Sequence, residues 1–431
     1  MKIVLFTPVA LASAIGRVSK LIVSELVRQH HEVVVVRAEA LDLLEKQPHA
    51  FPCRIIDWNE FDKVRKTTNS ADLVVYQVGD NLNFHWGCLH WLEALPGVVC
   101  LHDCFLGHLF WGWAVKIGRA DAHSIIEINY GTQVSHRFFD HGDSASFISY
   151  ASASAPMTEW IASMASAVVV HSSWAIERIL NSCPGPVAII PLPYDAPFAH
   201  ASFAEKRSLS QGRLTGLTIG YVNPNKRYAQ VIEAVGSSSV LRDGFCYRIV
   251  GQIEPQMAVE LQVLADKRGV AIVITGAVDD ERLASEIQSA DVMCCLRWPA
   301  LEAASASTIE AMLYAKPTVV TDTGFYRDLP VECVLKVSPD MEVADLQRHL
   351  ESLIADPARR DAMGQAAQKY ALETFRADVY AERLVQMKRE IDQAVIICNV
   401  ARGFAQQLKK WGAEPNSCTT EVIASPLSII Q

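Results

Sequence analysis

Short apolar runs rich in β-branched residues recur through the first part of the chain, at residues 3–6, 33–36, 73–76, 98–101 and 168–170, with helix-spaced stretches between them. None alternates strictly between apolar and polar positions, which marks strands covered on both faces of a parallel sheet. The same rhythm restarts at 217–222 and continues at 247–250, 271–275, 292–296 and 318–321, with helical spacing at 258–267 and 280–289 between runs. This pattern predicts two doubly wound α/β domains. From 346 to about 392 it is purely helical, long enough for several helices.

Between the two series the pattern pauses at 184–197, where five prolines stand, and a polar Ser, Arg and Gly stretch runs on to 216. The predicted organisation is therefore a Rossmann-like domain over 1–198, a linker over 199–216, a second Rossmann-like domain over 217–375, helices over 376–411 that return to the first domain, and a tail over 412–431. At the start, Lys2 and the small residues Ala10 to Ala14 share features with a secretory signal. A buried first strand accounts for them better: Gly16 opens a helical stretch and residues 32–36 supply the next strand of a βαβ unit.

Composition narrows the function. A chain of 431 residues with half its positions hydrophobic supports two cores. Its 39 basic and 48 acidic side chains leave a net charge of -9, which argues against nucleic acid as the main partner. Eleven cysteines without a CxxC pair read as free thiols in a reducing compartment rather than a zinc site or a disulfide framework. No run of about 18 apolar residues suggests a membrane span, so the expected location is cytoplasmic, with peripheral contact at the inner membrane as an option.

Two facing α/β domains place the carboxyl ends of their strands around one deep cleft, where open sheets of this kind bind ligands. Four loops after strands then stand out. The first joins Glu302 and Glu310 through small residues that include Ala304 and Ser305; a small-residue loop entering a helix exposes N–H groups suited to a diphosphate, although two carboxylates at a helix start also complement its dipole unaided. The second is Ile219-Gly220-Tyr221-Val222-Asn223-Pro224-Asn225-Lys226-Arg227, a phosphate site or an exposed basic turn. The third is His102-Asp103, where the histidine can bond a sugar hydroxyl or phosphate and the aspartate can orient it or take a proton. The fourth is Gly16, a close backbone approach or a tight turn, without the further glycines of a dinucleotide fingerprint. Arg297 reaches a ligand or caps its strand. The aromatics Phe105, Phe110, Trp111 and Trp113 read as core or as a surface for a lipid-linked acceptor.

The run from Glu302 to Glu310, followed by Ala311-Met312, Lys316-Pro317-Thr318-Val319-Val320 and Thr321-Asp322-Thr323-Gly324, resembles the donor-site block of the retaining GT-B glycosyltransferases, family four. Residues 76–80 and 96–103 look like a bacterial subgroup of it. The resemblance implies that Glu302 lies beside the transferred sugar and Glu310 binds the ribose, with Ala304 and Ser305 facing the sugar. Family members carry Gly-Arg and, five residues later, Lys as phosphate-binding cations; Lys226 holds the Lys position, Tyr221 replaces the Arg, and Arg227 is expected to restore the second charge. Ala303-Ala304-Ser305 also departs from the family's Gly-Phe-Gly. Gly251, Gly276 and Val278 resemble the loops that carry the nucleoside base.

The implied activity is transfer of a sugar from a nucleoside diphosphate sugar, UDP or GDP foremost, to a saccharide or lipid-linked hydroxyl with anomeric retention. The setting is bacterial polysaccharide or glycolipid synthesis. His102, Asp103 and Glu302 are the expected catalytic residues, and Gly16, Lys226, Arg227, Gly251, Gly276, Val278, Arg297, Ala304, Ser305 and Glu310 the donor-binding set. No cofactor is expected, and no metal, since no DxD triplet occurs. Two alternatives remain open: a sugar-nucleotide epimerase on the same fold, and a non-catalytic sugar-nucleotide-binding subunit of an assembly complex.

Overall fold

A computed structural model describes residues 1–199 and 213–411. Most of the expected linker and the whole expected tail lie outside the described residues.

The first sheet has seven parallel strands: β1 (Lys2–Thr7), β2 (Glu32–Arg37), β3 (Arg54–Asp57), β4 (Leu73–Val78), β5 (Val98–Leu101), β6 (Ala167–Val170) and β7 (Val187–Ile189). They stand in the order β3-β2-β1-β4-β5-β6-β7. β1 is central, paired in register from Lys2 opposite Glu32 to Thr7 opposite Arg37 on one side and from Ile3 opposite Leu73 on the other. Its fully buried Ile3, Val4, Leu5 and Phe6 explain why the run lacks alternation: helices cover both faces. Five helices fill the connection between β5 and β6, over Gly107–Ile117, Arg119–Tyr130, Thr132–Phe138, Ser144–Ser154 and Thr158–Met164.

The second sheet has six parallel strands: β8 (Leu214–Ile219), β9 (Phe245–Val250), β10 (Ile272–Gly276), β11 (Val292–Cys295), β12 (Thr318–Thr321) and β13 (Val334–Val337), in the order β10-β9-β8-β11-β12-β13. β8 starts and ends three residues earlier than its pattern suggests, so Gly220 to Val222 form the turn that leaves the strand. The core packs Ile232 and Val235 of the helix Tyr228–Gly236 with Ile249, Val292 and Leu350.

The three strands the periodicity misses, β3, β7 and β13, are all edge strands. An edge is covered less completely and needs no unbroken apolar run, so Arg54 and Lys336 sit in two of them and β7 is three residues long inside the proline-rich stretch. Among the described residues, one compact unit comprises Met1–Val170, Ala175–Ile190 and those from Ala381 on; the other comprises His171–Trp174 and those between Pro191 and Tyr380. The long helix Ala377–Lys410 thus begins in the second unit and continues in the first. Among the described residues no helix is long and apolar enough to cross a membrane.

Candidate functional site

In the second unit the carboxyl ends of β8, β9 and β10 each run into a glycine with positive φ: Gly220 at 89°, Gly251 at 152° and Gly276 at 78°. Gly220 N–H donates to Val250 O, and Gly251 N–H to Gly276 O, both at 2.9 Å. A Cβ on Gly251 would stand 2.1 Å from Gly220 O, so only glycine fits this approach. The strand ends therefore present backbone rather than side chains. Val278 follows, half-buried, in the loop before the helix Asp280–Ser289.

After Gly220 the chain makes a short 3₁₀ turn over Pro224–Lys226, and Arg227 takes a left-handed conformation to open the next helix. The turn folds the Lys226 side chain back beneath the end of β8, where Nζ donates to Ile219 O at 2.9 Å. Burial, followed by the neighbouring positive charge of Arg297, pushes the Lys226 pKa down to about 7, with Glu302 pulling back. Arg227 points to a different partner. Its guanidinium grips the Glu342 carboxylate at the start of the helix Glu342–Ala355, with Nε at 2.9 Å and Nη2 at 2.6 Å from Oε2. The expected second cation is thus engaged in a bidentate pair.

Arg297 stands beside Lys226 instead. It leaves β11 with its N–H on Thr321 Oγ1 at 2.9 Å, at the end of β12, and its side chain is buried. Nη1 donates to Leu296 O at 2.7 Å and Nε approaches both Glu302 oxygens, at 3.2 and 3.0 Å. Burial is the largest effect and opposes the Arg297 charge, but the Glu302 carboxylate together with Tyr326 and Cys295 outweighs it, holding the pKa above the ordinary arginine value. Trp298 N–H donates to Asn225 O at 2.8 Å, tying this loop to the Lys226 turn.

Glu302 is half-exposed and leads into the helix Ala306–Leu313, capped by Ser305. Ser305 Oγ also lies 3.2 Å from Ser307 Oγ and accepts from Thr308 Oγ1 at 3.1 Å. Ala303 and Ala304 are buried, and Ser172 Oγ donates to Ala303 O at 2.9 Å. Glu310 is buried one turn inside the helix, where its Oε2 accepts from Tyr194 O–H at 3.4 Å. Two cations, a carboxylate and a helix start whose first N–H groups lack partners inside the helix are gathered by the ends of β8 and β11. This assembly matches a multiply charged anion carrying a hydroxylated group.

In the first unit, His102 leaves β5 buried, with Nε2 2.6 Å from Gln77 Oε1, and Asp103 Oδ2 accepts from Asp80 N–H at 2.8 Å. Gly16 is the third residue of the helix Ala14–Arg28; its N–H donates to the capping Ser13 Oγ at 3.0 Å, and a Cβ there would lie 2.8 Å from Pro8 O. Packing and capping therefore account for this glycine. Phe105 and Phe110 are fully buried, while Trp111 and Trp113 are partly covered in the same aromatic cluster. Three residues escaped the sequence reading: Glu342, which holds Arg227; Tyr194, which meets Glu310; and His108, paired with Asp80. For the last pair the signal was an aspartate just after one strand and a histidine at a helix start after the next, which adjacent parallel strands bring together.

Residues 202–370 match the family described as Glycosyl transferases group 1. The second unit is a group 1 glycosyltransferase domain. No curated protein sequence matches the chain. Solved structures resemble it at low identity. Sucrose-phosphate synthase from Thermosynechococcus elongatus superposes with a TM-score of 0.59 at 15% identity, over 91% of this chain and 100% of that one. A glycosyltransferase from Rickettsia africae reaches a TM-score of 0.61 at 13% identity, over 90% and 98%. Anabaena HepE in complex with UDP-glucose gives 0.57 at 17%, over 90% and 99%. The fold is that of the GT-B glycosyltransferases, two α/β domains each built on a parallel sheet. Within the glycosyltransferase domain, the family match spans every residue of the Lys226, Arg297, Glu302 and Glu310 cluster.

Proposed function

We propose that the chain transfers a sugar from a nucleoside diphosphate sugar to an acceptor hydroxyl with retention at the anomeric carbon. The observation that carries this reading is the buried Lys226 and Arg297 pair, balanced by Glu302, beside the start of the Ala306–Leu313 helix. Two cations and a helix amino terminus stabilise the charge that develops on a departing diphosphate, the interaction that lowers such a barrier most. Glu310, held on the helix beside Tyr194, accepts from the ribose hydroxyls in this reading, and the glycine-lined ends of β9 and β10, with Val278, carry the base. Glu302 and Ser305 face the sugar, with Ala304 leaving room for it. Arg297, rather than Arg227, supplies the charge that Tyr221 does not. The match to group 1 transferases supports sugar transfer, and the UDP and UDP-glucose named with Anabaena HepE make uridine nucleotides the first to test.

A thermal-shift screen of UDP, GDP, ADP and their sugars tests it. A ligand at 100 times its dissociation constant should add about 2.7 kcal/mol of stability. The anomeric configuration of the product, read by NMR with the selected donor, then tests retention. No shift with any nucleotide would overturn the reading; nucleotide binding with release of a free sugar epimer and no transfer would point to an epimerase.

A further inference from the structure

The helix Ala377–Lys410 is 34 residues long, and its last third differs in character from the rest. Its hydrogen bonding runs to the end, where Trp411 N–H donates to Gln407 O and Leu408 O, both at 3.1 Å. Val400 is 60% exposed, Phe404 40% and Trp411 70%, and Leu408 is half-buried. At the helical turn of 100° per residue, positions 400, 404, 408 and 411 fall within an arc of about 80°, so they form one apolar stripe about 17 Å long. A Cβ on Gly403 would meet nothing within 4 Å, so the helix stands clear on the flank of this stripe as well. Single exposed apolar side chains are ordinary; a row of them along one helix marks a docking face.

The charges around the stripe say what covers it. Between Gln393 and Trp411 the sequence holds Arg402, Lys409 and Lys410 and no acidic residue, in a chain whose net charge is -9. Helix positions 402, 409 and 410 all lie off the stripe, which separates a basic, polar side from an apolar one. Two copies of the helix pairing their stripes would each bring positive charge and no carboxylate to meet it, the reverse of the complementary charges that flank paired helices. An anionic bilayer surface suits both halves of the pattern, because apolar side chains enter the acyl boundary while basic ones meet the headgroups. Trp411, at the end of the stripe, suits the headgroup level, where indole rings collect. The acidic remainder of the chain opposes this contact weakly, since exposed charges are screened beyond about 8 Å at physiological salt. The helix is not long and apolar enough to cross a bilayer, and the contact is one of lying along its surface.

We propose that the stripe of Val400, Phe404, Leu408 and Trp411 docks this protein on an anionic lipid bilayer, with the positive charge of the same segment drawing it to the headgroups. The proposal uses no residue of the nucleotide site and stands apart from the sugar-transfer reading.

The test is sedimentation of the full-length protein with vesicles of phosphatidylcholine alone or with about 30% phosphatidylglycerol, alongside analytical ultracentrifugation without lipid. Wild type should bind the anionic vesicles at least about 10-fold more tightly than the neutral ones and lose that preference in about 0.5 M salt. Phe404→Ser with Trp411→Ser should weaken binding to anionic vesicles by about 10–100-fold, as two apolar side chains no longer leave water. Arg402→Gln, Lys409→Gln and Lys410→Gln together should weaken it by about 100-fold, at about fivefold per charge. Both variants should keep the wild-type melting temperature. If the first does not fold, the charge variant and the salt series decide. No binding of wild type to anionic vesicles, or equal binding by wild type and both variants, overturns the proposal. A dimer in the ultracentrifuge that Phe404→Ser with Trp411→Ser abolishes, without lipid binding by wild type, overturns it in favour of self-association.

Discussion

If Lys226 meets the diphosphate as proposed, it would couple nucleotide binding to pH in a direction that can be worked out. Its folded pKa is down to about 7, against about 10.5 in an unfolded chain. Between those values the unfolded chain binds more protons, so the residue's contribution to stability rises with pH across that window and is least below pH 7. Binding a diphosphate favours the charged amine, so nucleotide affinity should fall as pH rises above about 7. Lys226→Arg, which keeps its charge throughout, should flatten that slope in a calorimetric titration; an unchanged slope would separate the lysine from the phosphates. Gly251 makes a second prediction at this scale. Gly251→Ala meets both positive φ and the Gly220 carbonyl, so it should cost at least about 1–3 kcal/mol in a denaturant titration. Its requirement was not legible in the sequence, where a single glycine after a strand is also a common turn.

At the level of elements, the Arg227 to Glu342 pair links the turn after β8 to the helix Glu342–Ala355. Removing one partner of a charged hydrogen bond costs about 1–3 kcal/mol. Glu342→Ala should therefore lower stability by that amount, while Arg227→Ala should leave nucleotide affinity within about threefold. Arg297→Ala should instead weaken binding by about 10–100-fold, the worth of a charged hydrogen bond. Equal losses at Arg227 and Arg297 would contradict the assignment. The sequence made this distinction hard, because Arg227 adjoins Lys226 while Arg297 lies 71 positions from it and meets it only through the parallel neighbours β8 and β11. Elements whose two faces are buried were legible, since burial imposes an unbroken apolar run; β3 and β13 were not, because charged residues interrupt them, and β7 is three residues long inside the proline-rich stretch.

Across the molecule, the two-sheet organisation followed from the repeated strand and helix rhythm, and the fold agrees with it. The donor-site residues that the sequence singled out fall together in the second unit where they lie near β8 and β11. Lys226, Arg297, Glu302 and Ser305 share one cluster, and Glu310 stands one turn further along the same helix. His102 and Asp103 stood out as a strand-end pair, yet their side chains are occupied by Gln77 and Asp80, and the exposed ring belongs to His108 on the following helix. The central claim is that Lys226 and Arg297 hold a nucleoside diphosphate. It is tested most directly by titrating the selected nucleoside diphosphate into wild type, Lys226→Met and Arg297→Ala at about pH 8 in two buffers of different ionisation enthalpy. The account predicts net proton uptake by wild type, its loss in Lys226→Met, and weaker binding in both variants; equal affinity and no proton uptake in all three would contradict it.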